Sequence, residues 1–216
     1  MKKNLIFILL LFATITCSYA QNQNDDLLHQ GAAHHKAKTE QKLQKDRNNY
    51  WIGKVPIQDG LVTFQKTFSA PNKNKSELFK IMTIFSENLV SASGHKDISQ
   101  IAYKNESQGM IIVNISETMY FVKRAWEADF TDFYYHLTII CSNNSLTVKF
   151  NNLSYKYEEG REEGWAYLKA EDWITDDKAF NKSKTKFINE PGKFRRNTID
   201  RINVLFKQIS NIIATK

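Results

Sequence analysis

The chain has 216 residues, with 30 lysine and arginine residues against 23 acidic ones and only two cysteines. A formal net charge of +7 is mild for this length and most simply indicates ordinary solubility, and two cysteines exclude a small scaffold held by several disulfides. The length is sufficient for one domain with a hydrophobic core of its own.

The first twenty residues have the layout of a cleavable secretory signal. Lys2 and Lys3 precede an apolar run over residues 5–13, and Ser18-Tyr19-Ala20 supplies the small residues of a cleavage site. The apolar run is shorter than the ~20 residues that a membrane span needs. We therefore predict a signal peptide over residues 1–20 and an exported protein, periplasmic or secreted, without a transmembrane segment in the mature chain.

Cleavage after Ala20 changes the charge and the cysteine content. The net charge falls to +5 because Lys2 and Lys3 are removed, and an exported chain does not normally meet genomic DNA, so no nucleic-acid partner is expected. Only Cys141 remains, which excludes an intrachain disulfide. Cys17 leaves a lipoprotein signal open as the less favoured alternative, since Thr14-Ile15-Thr16 before it fits that pattern poorly.

Residues 21–49 are predicted to form a polar, flexible arm. They contain no Phe, Trp, Ile or Val, and such a composition cannot bury enough apolar surface to fold alone. Ala, Lys, Glu and Gln between Ala32 and Asp46 favour partial helix formation. His29, His34 and His35 could ligate a metal, but they lack a carboxylate or cysteine partner, so we expect no metal and no other cofactor.

The single α+β domain is predicted over residues 50–216 and begins with a strand and a helix. Val62, Phe64 and Phe68 share one face of a half-buried strand over residues 61–68. Asn74, followed three residues later by Glu77, predicts a capped helix that continues at helical spacing up to residue 94.

Four further strands and a long helix complete the predicted order β-α-β-β-β-β-α, an antiparallel sheet with helices on one face. The strands are expected at Ile101–Asn105, Met110–Tyr120 or a little beyond, Phe133–Cys141 and Ser145–Tyr157. The connections between the later ones are expected at 129–132 and 142–144. The last helix is predicted from about Asn197, with an apolar stripe that includes Ile199 and Ile213.

Alternation in the third of these strands separates two faces. Phe133 to Cys141 at every second position form the core face, so Cys141 is expected to be a small core residue. The opposite face is mixed and partly aromatic, and we predict it as a candidate binding surface. Its residues are Tyr134, His136, Thr138 and Lys149, together with Trp126. A solvated or dimer-buried face without a ligand is the alternative.

A charged segment precedes and enters the last helix. Glu171, Asp172 and Asp176 come before Arg195 and Arg196, and arginine forks suit carboxylates, so we hypothesise internal ion pairs that hold this segment together. A ligand anion bound by the two arginines is the alternative. We expect no catalysis, because no nucleophile motif, metal-ligand spacing or phosphate loop accompanies these groups.

The closing segment also resembles a known bacterial family. The residues that carry the resemblance are 170–176, Ala179, Asn181-Lys182, 184–186, 192–196 and 198–200, with Val55-Pro56 and Asp59-Gly60 near the start of the domain. They are similar to the domain of unknown function 4468 family, over about residues 55–206. The resemblance implies a fold like that of the TATA-box-binding protein, a β-α-β4-α sheet found mostly in exported proteins of the Bacteroidetes type, and it implies no activity.

These observations favour an exported, non-catalytic binding module for a small amphipathic ligand or an envelope component. The alternative is a protein–protein interaction or structural envelope role, including a homodimer, and the third choice is a hydrolase-like enzyme.

Overall fold

A computed structural model describes residues 36–92, 94, 96, 98–157 and 166–214. The chain divides into two units, residues 1–49 and 50–216. Helix α1 covers residues 36–50 and so includes all of the described part of the first unit. The predicted signal peptide and the histidines His29, His34 and His35 lie outside the described residues. None of the helices in the described part combines the length and the apolar character needed to cross a membrane.

The second unit is an antiparallel sheet with helices, and the predicted α+β class is confirmed. In its described residues the strands are β1 (Ile57–Gln58), β2 (Leu61–Val62), β3 (Phe64–Ser69), β4 (Gln100–Asn105), β5 (Met110–Arg124), β6 (Glu127–Ser142), β7 (Ser145–Tyr157) and β8 (Ala166–Lys169). The helices are α2 (Lys75–Val90), α3 (Ala170–Trp173), α4 (Asp176–Ala179) and α5 (Asn189–Ala214). The main sheet has the order β3-β7-β6-β5-β4, and β8 pairs with the last residues of β7.

Helix α2 begins where the capping pattern predicts. The side chain of Asn74 accepts a hydrogen bond from the Glu77 amide at 2.9 Å, and the Glu77 carboxylate accepts from the Asn74 amide at 2.8 Å. These two bonds satisfy amides that the first turn leaves without a partner. The helix ends at Val90, four residues before the predicted stop at Gly94.

Two strand boundaries differ from the prediction. The strand expected over residues 61–68 is interrupted at Thr63, because Val62 pairs with β1 whereas Phe64 pairs with β7. The connection expected at residues 129–132 is wrong, because β6 already begins at Glu127 and pairs with β5 from there to Ile140. The hairpin turn lies instead at residues 125–126. The ends of β5 and β6 next to this turn contain polar residues, so a search for apolar alternation does not recognise them as strand.

The last helix is eight residues longer than predicted, since α5 begins at Asn189 and not near Asn197. Pro191 lies in the first turn, where its missing N–H costs nothing. Gly192 is required by packing, because a Cβ there would lie 2.7 Å from the Cβ of Phe187. Arg195 and Arg196 therefore lie inside the helix, in its second turn, and not before its first residue as predicted.

The core lies between the sheet and the helices α2 and α5. The alternate residues of β6 that were assigned to the core face are all fully buried, and Cys141 is among them at 1 % exposure. Burial raises the pKa of the Cys141 thiol to about 11. The thiol is therefore a packing group held in its neutral form, as expected for a small core residue.

Candidate functional site

A cleft of about 1110 Å³ opens between helices α2 and α5, with β5 as its floor. Its helical walls follow a regular spacing. On α2 they are Ile81, Ile84, Phe85, Asn88 and Leu89, followed by Ala92 just beyond the end of the helix, and on α5 they are Asn197, Asp200, Arg201, Val204, Gln208, Asn211 and Ile212. Positions three and four apart lie on one face of a helix, so each helix presents a continuous stripe to the cleft. This stripe of α5 lies beside the one that packs into the core.

Exposed apolar side chains converge on this cleft from three different elements. Ile84 of α2 is 59 % exposed, Val204 and Ile212 of α5 are 47 % and 37 % exposed, and Tyr120 of β5 is 43 % exposed. Each single exposed apolar residue would be ordinary, but a convergent group at a concave surface is typical of a binding site.

An ion pair forms part of the floor of the cleft. Arg201 donates from Nε and Nη2 to the two carboxylate oxygens of Glu117, at 2.8 and 2.6 Å. The Glu117 side chain is only 8 % exposed, and that of Arg201 is 26 % exposed. Burial works to lower the pKa of Arg201, but the hydrogen bonds and charge of Glu117 raise it above its ordinary value. The guanidinium of Arg201 is therefore held in its charged form by its bonds to Glu117.

Tyr135 of β6 lies under the same ion pair. Burial raises its pKa well above the ordinary value, the negative charge of Glu117 raises it further, and the charge of Arg201 opposes this. The phenol thus stays neutral beneath the cleft. Asp200, next to Arg201 on α5, adds a second carboxylate to the wall and accepts the Tyr50 hydroxyl at 2.9 Å on both oxygens.

Comparisons with known proteins identify the family. The family model for a domain of unknown function (DUF4468) with TBP-like fold matches residues 64–156. The crystal structure of a DUF4468 family protein from Bacteroides ovatus ATCC 8483 is 30 % identical, with a TM-score of 0.70, over 79 % of this chain and 96 % of that chain. This chain is a member of the DUF4468 family.

A second solved structure shares the fold. It is a TBP-like protein from Parabacteroides distasonis ATCC 8503, 22 % identical with a TM-score of 0.61, over 74 % of this chain and 97 % of that chain. No curated protein matches the sequence at a significant level. The predicted family is confirmed, although the family model matches residues 64–156 and not the closing segment that carried the resemblance. Membership leaves the function to be argued from the site.

The predicted sheet face of this DUF4468 protein lies opposite the helices and carries a smaller groove of about 520 Å³. Tyr134 and His136 both line it, together with Tyr167 from β8. Thr138 and Lys149 are register partners on β6 and β7 and lie outside the groove lining. The structure therefore brings two of the predicted residues into one concave surface.

Trp126 lies apart from that groove. It occupies the turn between β5 and β6 and is 83 % exposed. Eight residues of strand separate it from Tyr134, which is about 26 Å at the usual rise of a strand. Trp126, which was predicted as part of the same binding surface, therefore does not join Tyr134 and His136 in this groove.

A β-bulge shapes the edge of the sheet-face groove. The register between β6 and β7 shifts between Tyr134 and His136, so β7 accommodates one extra residue. Asn152 adopts a left-handed backbone with φ of 56°, and its side-chain amide lies 3.3 Å from Nδ1 of His136. Bulges re-aim side chains out of the strand pattern, and this one directs an amide toward the histidine.

Arg195 is the centre of the charged segment. Its side chain is fully buried and donates from Nη2 to Asp176 Oδ1 at 2.7 Å. Three backbone carbonyls accept its other hydrogen bonds, those of Tyr50, Trp51 and Ile174, at 2.6 to 2.7 Å. Burial lowers the pKa of Arg195 and Asp176 works to raise it. The arginine therefore ties the start of the domain to the segment before α5.

The other members of this segment have different roles. Glu171 accepts the backbone N–H of Val62 at 2.7 Å, Asp172 is exposed, and the guanidinium of Arg196 lies 4.3 Å from the centre of the Phe187 ring. Of the hypothesised ion pairs, the one between Arg195 and Asp176 is formed, with the two charged groups 2.7 Å apart. Residues 158–163, which include four further glutamates, lie outside the described residues.

The sheet-face residues had a sequence signal, whereas the cleft residues were missed. Glu117 lies in an apolar strand between Ile115 and Met119, and Val204 lies off the core stripe of α5. Each of these two residues departs from the apolar pattern of its strand or helix and could have been noticed in the sequence. The pairing of Glu117 with Arg201, 84 residues later, could not.

Proposed function

We propose that this DUF4468 protein is an exported, non-catalytic binding module that holds a small amphipathic molecule in the cleft between α2 and α5. The convergence of exposed Ile84, Val204 and Ile212 above the Glu117–Arg201 pair is the observation that carries the proposal. The proposal of export is supported by the signal-like residues 1–20. The non-catalytic role is supported by the structural use of Asp176 and Glu171, whose carboxylates bind arginine and backbone groups.

The size and chemistry of the cleft favour a small molecule. Ligand pockets have volumes of roughly 300 to 1,000 Å³, and the cleft, at about 1110 Å³, is slightly larger than that range. Apolar side chains from both helices would contact the body of the ligand, while the ionic floor and the amides Asn88 and Gln208 would contact a polar group. Burying the apolar walls would contribute about 25 cal/mol per Å² removed from water.

Native mass spectrometry of the mature protein, isolated gently from its own cells, is the first test. A reproducible extra mass of small-molecule size supports the proposal. The site is then assigned by titrating an amphipathic fluorescent probe into the wild type and the variant Ile84→Gln, which removes one apolar wall.

Ile57→Gln is the matched control, because Ile57 is 55 % exposed, close to the 59 % of Ile84, and lies on β1 outside the cleft. The proposal predicts weaker probe binding for Ile84→Gln only. Equal affinity of wild type and both variants would contradict a site in the cleft.

A protein-interaction role is the second candidate, favoured by the Trp126 turn. Its indole is 83 % exposed, and Tyr120 and Phe130 behind it lie with ring centres 5.6 Å apart and are each about 40 % exposed. Exposed aromatic residues of this kind are typical anchors for a partner or a second copy. Sedimentation of wild type and Trp126→Ser would decide for a homodimer, which the variant should dissociate.

A further inference from the structure

We infer that the cleft between α2 and α5 selects a ligand whose polar head is a cation of the ammonium type. The inference rests on the proposed function, because it names the chemical class of the molecule that would occupy the same cleft. It is carried by the distribution of charge on the cleft wall, which is independent of the apolar residues that argue for a ligand.

Three charged side chains line the cleft. Glu117 and Asp200 are acidic and Arg201 is basic, so the wall carries one excess negative charge. The only other polar side chains that line it are neutral, namely Asn88, Asn197, Gln208, Asn211, Thr118 and the Tyr120 hydroxyl. No lysine of the described residues lines the cleft. Lys123, whose Nζ lies 4.5 Å from the centre of the Tyr120 ring, is adjacent to the cleft but does not line it. The lining itself therefore favours a cation over an anion of equal size.

The positive charge of Arg201 is already used. Its Nε and Nη2 atoms each donate to one oxygen of Glu117 within 2.8 Å, in the two-pronged geometry that holds an arginine most firmly to a carboxylate. An anionic head would have to compete with this intramolecular carboxylate. Breaking the pair would also leave Glu117, which is 8 % exposed, without its counter-charge in apolar surroundings.

The excess negative charge is at Asp200. Its two oxygens accept the hydroxyl of Tyr50, which is a neutral donor, and among the described residues no lysine, arginine or histidine forms an ion pair with it. Asp200 is exposed on α5, one turn before Val204. A carboxylate so placed, next to an apolar wall, is suited to an ammonium group whose alkyl part lies against Val204 and Ile84.

The test compares three probes with the same tail and different heads: octylammonium, octanol and octanoate, at neutral pH and low salt, binding to the folded mature protein. Calorimetric or NMR titration should give octylammonium an affinity about five-fold above that of octanol, with octanoate the weakest, as expected for one charge pair near a protein surface. The preference should shrink as salt is added.

The variant Asp200→Asn keeps the shape and the hydrogen-bond acceptor and removes the charge. It should bring the affinity for octylammonium down to that for octanol and leave octanol unchanged. Asp59→Asn is the matched control, since Asp59 lies outside the cleft in a left-handed turn position that asparagine also tolerates. It should keep the full preference.

The outcomes separate this inference from the proposed function. If octanol binds in the cleft but the ammonium probe gains nothing, or octanoate binds best, the inference is overturned and the binding module stands. If none of the three probes shifts resonances of residues in the cleft at millimolar concentration, the proposed function is overturned and the inference with it. An unchanged ammonium preference in Asp200→Asn also overturns the assignment to Asp200.

Discussion

Arg195 and Asp176 form an ion pair of 2.7 Å in which the guanidinium is fully buried. The pair is part of a larger arrangement, because Asp176 also accepts the amide of Gly53 at 2.8 Å on its other oxygen. One carboxylate thus joins the last helix to the first loop of the domain. Buried pairs of this kind add little when formed but cost much when one partner is removed, since the other charge is left uncompensated.

We therefore expect Asp176→Ala to lower the free energy of unfolding by about 3 kcal/mol, the usual cost of breaking a buried pair. Chemical denaturation followed by circular dichroism measures it. Asp177→Ala is the matched control, because the neighbouring Asp177 pairs with Lys184 at the surface. It should change the stability little. Equal effects of the two variants would show that the Arg195 pair is not a stabilising contact.

Local signals predicted much of the sheet and of α2. The alternation of β7 places the strand at the residues where it is found, and the Asn74 capping pattern identifies the start of α2, because both signals lie within a few residues. The start of α5 was missed because Pro191 and Gly192 normally end helices. They are tolerated here by position and by packing, and the contact with Phe187 is not visible in a helical pattern.

The cleft could not be predicted from the sequence for a similar reason. Glu117 and Arg201 are separated by 84 residues, and their pairing depends on how β5 and α5 pack. Off-pattern residues such as Val204 indicate an unusual surface but do not say which element faces it. The sheet face was predictable because its side chains alternate within a single strand, whereas the convergence of two helices on a third element is a tertiary property.

The close contact at Gly192 yields a second prediction. Gly192→Ala should lower the free energy of unfolding by about 1 to 3 kcal/mol, because the added methyl group overlaps the Phe187 side chain. On helix propensity alone the same change would be favourable. Asn203→Ala, at an exposed position of the same helix, is the control and should be neutral or slightly stabilising. Thermal or denaturant unfolding of both variants measures the difference, and a stabilised Gly192→Ala protein would contradict the contact.

The bulge at Asn152 gives a prediction about backbone conformation. Asn152→Val should cost about 1 to 2 kcal/mol of stability, since a β-branched residue is strained at a φ of 56°. Asn151→Val, one residue earlier in the same strand, should be neutral or stabilising, because β-branched residues suit strands. Asn152→Gly should stay within a few tenths of a kcal/mol of the wild type. Chemical denaturation of the three variants measures these differences. If Asn152→Val and Asn151→Val had the same stability, the bulge would be absent in solution.

Buried tyrosines should lower the free energy of unfolding at alkaline pH. Burial raises the pKa values of Tyr135 and Tyr155 above the ordinary value near 10, and the hydrogen bond of Tyr155 to Thr198 only partly opposes this. A group whose pKa is raised by folding stabilises the protein fully below its unfolded pKa, and this contribution is lost as the pH rises above about 10 toward the folded value.

Tyrosinate absorbance, followed together with circular dichroism as the pH is raised, checks this expectation. Tyr135 and Tyr155 should ionise only when the fold is lost, so the late step should be steep and coincide with unfolding. Tyr155→Phe should reduce the late step by one tyrosine, whereas Tyr167→Phe, at a site that is 74 % exposed, should leave it unchanged. A protein that ionises all its tyrosines while its circular dichroism remains native would refute the burial of these two hydroxyls. The ionisation of these tyrosines lowers the stability only above pH about 10. Tyr155→Phe should therefore leave the midpoint of acid unfolding unchanged, apart from any loss of stability that the variant already shows at neutral pH.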